Sequence, residues 1–473
     1  MRRSLIALAA GLSTALAALP AQALDEKQLL ATLERLAARV EALEKRNTEL
    51  ERALDSERLS ERDPELVVRL KTLEQQTQAL AKPAQRMQAL EGVQLSASLV
   101  SMAQQAPAGL SEAGRRQTRL NYRGDLQVQA PAGEWGDVQA QAFAHLRFGQ
   151  GEGLALRPGY SSGPNTLAFQ TGDDADASFA ILAQAGLQLD LPLPRQRSQS
   201  QANERLLLTL GKLDPFVYFD GNALADDESS RFVNNAFVHN PLLDSGGDIR
   251  ADRFGFAPGA VLQWQDERDK AAPRSLSFGL FGAGSGSNFS GAPRRPLAIV
   301  QFEQQLRWQH LPGSYRVYAW QQGQGEDFDG QLRRHRGVGV SLNQQLSDNL
   351  AVFARWGHQA KGGVRFDRAL TAGLEWQGDA WGRGADALGL ALGSLRTAKG
   401  FAAVSADLDA DGDGQPDWGH AASGSERLAE LYYRWRLGPA LELSPDLQWL
   451  QRVGGNAAVR GEWVLGLRAK LSL

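Results

Sequence analysis

Eleven polar residues crowd the stretch between Gly211 and Trp264: Asp214, Asp220, Asn222, Asp226, Asp227, Glu228, Arg231, Asn234, Asn235, His239 and Asn240. Phe216, Tyr218, Phe219, Phe232 and Phe237 are interleaved with them. Carboxylates and amides bond hydroxyl groups, and aromatic faces stack on apolar ones. A sugar offers both kinds of surface. The same mixture also suits a loop that satisfies its own backbone, and residue chemistry weighs the two equally. A second constellation is Asp409, Asp411, Asp413 and Asp417, at offsets one, three, five and nine, with Gly414 at six. Alternating oxygens about a glycine turn are how a calcium loop begins. The twelfth position is His420 instead of Glu. Calcium in 407–417 is one reading, and a solvated acidic turn is the other. No other cofactor is implied. Six scattered histidines, without metal spacing or a nucleophile motif, point to no catalytic set.

The elements that must position these groups are strands. Residues 120–130 alternate Leu120, Tyr122, Gly124, Leu126, Val128 and Ala130 against Asn121, Arg123, Asp125, Gln127 and Gln129. After a turn expected at 131–136, Val138, Ala140, Ala142, Ala144, Leu146 and Phe148 face away from Gln139, Gln141, His145 and Arg147. The pattern recurs to the end of the chain, giving about sixteen strands. Two-faced strands of about ten residues, joined alternately by short turns and long loops, fit a transmembrane barrel. The chain thus reads as all-β, a transmembrane antiparallel barrel preceded by an α-helical coiled coil. A soluble sandwich would also alternate, but it would need a second sheet to cover its apolar face. Trp264, Trp308, Trp376, Trp435 and Trp449 fall at strand ends, as interfacial girdles do. Arg123, Arg147, Arg316, Arg355, Arg434 and Arg468 are expected to face the lumen. Residues 211–264 then form a long loop, which this reading folds into the mouth. A further acidic loop spans 401–424.

The chain has 473 residues, no cysteine and a net charge of −3. That balance argues against nucleic acid as a partner. Residues 1–23 carry a basic start, an apolar stretch and Ala21-Gln22-Ala23, the form of a cleaved export signal. Residues 24–91 form the expected stalk. Leu29, Leu36, Leu43 and Leu50 repeat every seven, as do Leu33, Val40, Asn47 and Leu54. This is a heptad seam with a polar residue at one core position, and it implies a homo-oligomer. Leu at d with Val and Asn at a leans towards two strands. The barrel domain is expected over 92–473.

The run GKLDPFVYFDGNALADDESSRFVNNAFVHNP, followed by APGAVLQW and by the closing SERLAELYYRWRLGPALELSPDLQWLQRVGG, resembles the carbohydrate-selective outer-membrane porins of the OprB type. That resemblance implies a passive, commonly trimeric channel with a constriction loop. Over the matching motifs it singles out Asp214, Asp220, Asn222, Asp227, Glu228, Asn235 and Asn240. A coil ahead of such a barrel is similar to the cyanobacterial-type porins, some of them described as iron-uptake porins. Those carry a surface-layer-homology module, which this sequence lacks. The expected setting is the bacterial outer membrane, with its lipid around the barrel, small hydrophilic solutes such as sugars within it, and the coil in the periplasm within reach of the cell wall. A structural tether or adhesin and a porin for inorganic ions or iron stand as alternatives.

Overall fold

The computed structural model describes residues 92–160, 163–168, 178–193, 202–244, 248–249, 254–282 and 294–472. The signal segment and the coiled coil of 24–91 lie outside the described residues.

Sixteen strands close into one antiparallel barrel, each beside its neighbour in sequence and β1 beside β16. The first eight are β1 Gln94–Ala106, β2 Gln117–Trp135, β3 Val138–Gly151, β4 Ser178–Leu193, β5 Glu204–Leu213, β6 Ala257–Asp266, β7 Arg274–Phe281 and β8 Leu297–Trp308. The second eight are β9 Leu311–Glu326, β10 Leu332–Ser347, β11 Leu350–Lys361, β12 Phe366–Gln377, β13 Ala387–Thr397, β14 Ser425–Arg436, β15 Leu441–Gln451 and β16 Glu462–Ser472. The stretch 131–136 is mostly strand and not turn, because β2 runs on to Trp135. Gly136, at φ 62°, makes the reversal.

Closure leaves no edge, so every strand satisfies its backbone through its neighbours, as a span without water requires. Period-2 alternation then sorts the side chains. On β12, Leu370 is exposed while Ala369, Thr371 and Glu375 are buried. On β16, Trp463, Leu465 and Leu467 are exposed while Val464 and Arg468 are buried. The apolar face therefore looks outward and the polar face inward, the reverse of a soluble fold and the arrangement lipid demands. Trp308, Trp376 and Trp435 lie exposed at the short-turn end. Trp449 pairs with Trp463 near the other end. The longest connections, β3–β4, β5–β6, β7–β8 and β13–β14, leave from that second end, which by the usual asymmetry of such barrels is the external one.

Candidate functional site in the barrel lumen

The connection from β5 to β6 packs inside the barrel. Its aromatic residues anchor it: Phe219, Phe232 and Phe237 are at most 1% exposed. Burying a phenyl side chain contributes about 1.5–3 kcal/mol, so these three rings alone hold the loop firmly. Strand glycines make room for it. A Cβ at Gly279 would lie 2.7 Å from the Phe219 ring, and one at Gly357 would lie 2.6 Å from Asn240 Oδ1.

Polar clamps fix the register. Asp220, wholly buried and at φ 62°, accepts from Asn240 N at 2.6 Å, Tyr318 Oη at 2.6 Å and Arg355 Nε at 3.1 Å. Its own amide donates to Gln301 Oε1 at 2.8 Å. Arg355 also donates to the carbonyls of Phe237 and Asp220, at 2.6 and 3.1 Å. Asn222 Nδ2 donates to Ser341 Oγ and to Leu342 O. Asn234 caps the short helix Asn235–Val238, accepting from Ala236 N, and its Nδ2 donates to Gln448. Arg231 pairs with Glu375 at 3.2 Å. Glu430 accepts from the amides of Val233 and Asn234. Arg468 donates to the carbonyls of Glu228 and Arg231.

The predicted polar residues therefore divide in two. Asp220, Asn222, Arg231, Asn234 and Asn240 hold the loop against the wall. Asp214, Asp226, Asp227, Glu228, Asn235 and His239 line a cavity of about 1000 Å³. The six arginines divide similarly. Arg123 and Arg147 line the cavity. Arg355 and Arg468 are 1% exposed beneath the loop. Arg316 pairs with Glu303 at 2.8 Å, and Arg434 lies 3.7 Å from Glu375.

Across the cavity, opposite charges face one another. The loop side presents Asp214, Asp226, Asp227, Glu228 and Asp244, and the wall presents Arg123, Arg147 and Lys470. Glu228 meets Arg123 at 2.6 Å, and Lys470 stands 3.8 Å from Asp227. Burial alone would raise Glu228, but Arg123 and Arg147 outweigh it and hold the carboxyl below its ordinary range. Burial likewise opposes Asp227, yet Lys470 and the Ser229 and Ser230 hydroxyls bring it down to about 2. For Asp226, burial wins over His239 and Arg355 and pushes the carboxyl up to about 7. The His239 ring stacks on Phe216 at 3.7 Å and 3°. Burial would lower it, but the bond to Asp244 and the charges of Asp244, Asp226 and Asp214 carry it up to about 9. The cavity can therefore offer fixed acceptors, fixed donors and a ring face to a polar solute.

Sequence reasoning missed several lining groups. Asp125, His145 and Gln184 stand on luminal strand faces, and the period-2 register that placed Arg123 also places Asp125. Asp244 and Trp418 carry no comparable signal, because irregular chain brings them to the cavity. In the acidic loop, the carboxylates of Asp409, Asp411 and Asp413 lie within 4.8 Å of one another. Asp409 already accepts from the amides of Gly412, Asp413 and Gly414, and Asp417 accepts from Ala410 N at 2.9 Å. His420 bonds the carbonyls of Trp418 and Gly454 instead of joining them.

A closed sixteen-stranded barrel, apolar outside and wet within, with one loop folded across its lumen, defines an outer-membrane porin. It is a passive channel for small hydrophilic solutes. The match to the family described as "Carbohydrate-selective porin, OprB family" spans residues 170–473, and the chain belongs to that family. The structure of OprB from Pseudomonas putida at high pH is similar in fold, with TM-score 0.64, 17% identity, and 82% of this chain and 96% of that chain covered. The outer membrane channel DcaP of Acinetobacter baumannii gives TM-score 0.46 at 12% identity, covering 80% and 97%. A mutant of the Rh. blastica porin gives 0.45 at 10%, covering 80% and 100%. Only the first of these bears on the fold. No match is found among curated proteins.

Proposed function

We propose that this porin passes carbohydrates, and that the loop-lined cavity is where they are recognised. The observation that carries this reading is the apposition, across about 1000 Å³, of an acidic arc on the loop to Arg123, Arg147 and Lys470 on the wall, beside the Phe216–His239 stack. Hydroxyls, which both donate and accept, can bridge the carboxylates to the cations. The test is single-channel current through the purified protein in a planar bilayer, titrated with glucose and maltodextrin. Sugar should block the current, and Asp227→Ala or Glu228→Ala should relieve the block. Current without any block keeps the porin and overturns the sugar reading. No current at all would favour the tether or adhesin.

The reading extends to the rest of the chain. The export signal is cleaved after Ala23, and the coil of 24–91 stands in the periplasm, within reach of the cell wall. The barrel works as a homotrimer in the outer membrane; its family supports this, while the heptad pattern leans to two strands. Asp409, Asp411, Asp413 and Asp417 hold Ca²⁺ weakly, in the roughly millimolar range of extracellular sites. Calorimetric titration tests this, and a heat signal unchanged in Asp411→Asn would overturn it.

A further inference from the structure

The outward face of the barrel carries a group of cations at its external end over β10 to β14. Arg336 is opposite Lys361 in the β10–β11 register. His358 is opposite Arg368, and Arg368 is opposite Arg396. Arg427 lies one strand further, opposite Ser394. His358, Arg368 and Arg396 are therefore level with one another, Arg336 and Lys361 stand a step further out, and Arg427 stands a step further in, level with Leu370. Alternation fixes their direction. Arg336 shares its face with the exposed Val338, Arg368 with Leu370 and Arg427 with Leu431, while the intervening His335, Ala369 and Leu428 are buried. Arg336, Lys361, Arg368 and Arg396 thus stand external to the exposed Trp356, Leu370 and Leu392, at the depth of lipid headgroups. At the same end, β1, β2, β3, β7 and β8 place Gln105, Thr118, Gln150, Leu280 and Ala298 outward.

Arg295, Arg333, Arg334 and Lys361 surround a depression of about 250 Å³ above these cations, with Gly323 and Leu332 completing its wall. Arg333 is held by Asp327 and Asp329, Arg336 by Gln321 and Arg396 by Asp367. Arg334, Lys361, Arg368 and Arg427 make no ion pair among the described residues. Unpaired cations above an apolar wall are poor design for water alone. They are suited to an anionic headgroup whose acyl chains lie on Val338, Trp356, Leu370 and Leu392. Guanidinium groups match phosphate bidentately, and each surface cation near an anionic leaflet adds attraction.

We infer that these cations bind the phosphate groups of a phosphorylated glycolipid in the outer leaflet. The site is separate from the lumen, and it rests on the outer-membrane reading with the long loops outside. The experiment is native mass spectrometry of the purified full chain with bisphosphorylated lipid A, its dephosphorylated form, and inorganic phosphate as separate probes. Bisphosphorylated lipid should be retained about tenfold or more over the dephosphorylated form. The fourfold variant Arg334→Gln, Arg336→Gln, Lys361→Gln, Arg368→Gln should lose that preference while keeping its channel current. Equal retention of the two lipids by the unaltered protein, which needs no variant to fold, would overturn the inference. So would retention in the fourfold variant, or competition by inorganic phosphate at the lipid's own concentration. Loss of current in the unaltered protein would count against the porin reading instead.

Discussion

Substituting Asp220 by Asn should loosen the loop more than any change at the cavity surface. The carboxylate is wholly buried and faces Arg355, which is 1% exposed. It accepts from three donors: Asn240 N, Tyr318 Oη and Arg355 Nε. An amide is nearly the same size, but its nitrogen cannot accept, so at least one of these donors loses its partner. The guanidinium also stays buried without its counter-ion. Breaking a buried pair in this way costs about 3–5 kcal/mol. At about 1.4 kcal/mol per tenfold, loop release becomes roughly two to three and a half orders of magnitude more frequent. The remaining clamps at Glu430, Arg468 and Arg231 hold the loop between Glu228 and Asn234, so the release is confined to the segment around 218–226. Two assays read it. Single-channel recordings should show larger mean conductance with added flicker, and hydrogen exchange should show faster exchange of the amides in that segment. The double change Asp220→Asn with Arg355→Gln should be milder than the sum of the two, because the orphaned charge is gone. Unchanged conductance together with unchanged exchange would refute the view that this pair holds the loop.

Gly279→Val should displace Phe219, since even a Cβ would lie 2.7 Å from its ring. Overpacking of this kind costs about 1–3 kcal/mol, and thermal unfolding of the purified barrel should fall accordingly. The pH profile of ion selectivity should show two steps. Asp226 is neutral below about 7 and ionised above it, so the cation-to-anion permeability ratio from reversal potentials should rise through that pH, and Asp226→Asn should remove the step. His239 holds its proton up to about 9, so a second rise should follow above that pH and vanish in His239→Asn. Loop stability falls with rising pH at both groups, because each holds its proton more tightly in the closed loop. The raised His239 value contributes stability that is complete below its ordinary 6.5 and lost as pH rises through about 9. The raised Asp226 value opposes closure increasingly as pH climbs from its ordinary 3.8 to about 7.

Much of the architecture follows from the linear chain. A period of two repeated over strand-length segments determines which faces meet lipid and which meet water, because adjacent side chains on a strand must point opposite ways. That period gave the number of strands, the inward course of Arg123 and Arg147, and the long polar connection after β5. The family motifs in that connection marked its residues but not their duties. Asp220 and Asp226 stand six residues apart with the same side chain. One is sealed beneath the loop on Arg355 and Tyr318, and the other lines the cavity. Only closure of the barrel decided between them, since it brings strands from β8 to β16 around a loop that follows β5. The same closure turned Arg355 and Arg468 from lumen charges into clamps, and set Arg368 level with His358 and Arg396 on the outside. Periodicity is local and can be read along the chain. The partner of a buried charge is set by which distant strands share the lumen, and that belongs to the tertiary structure.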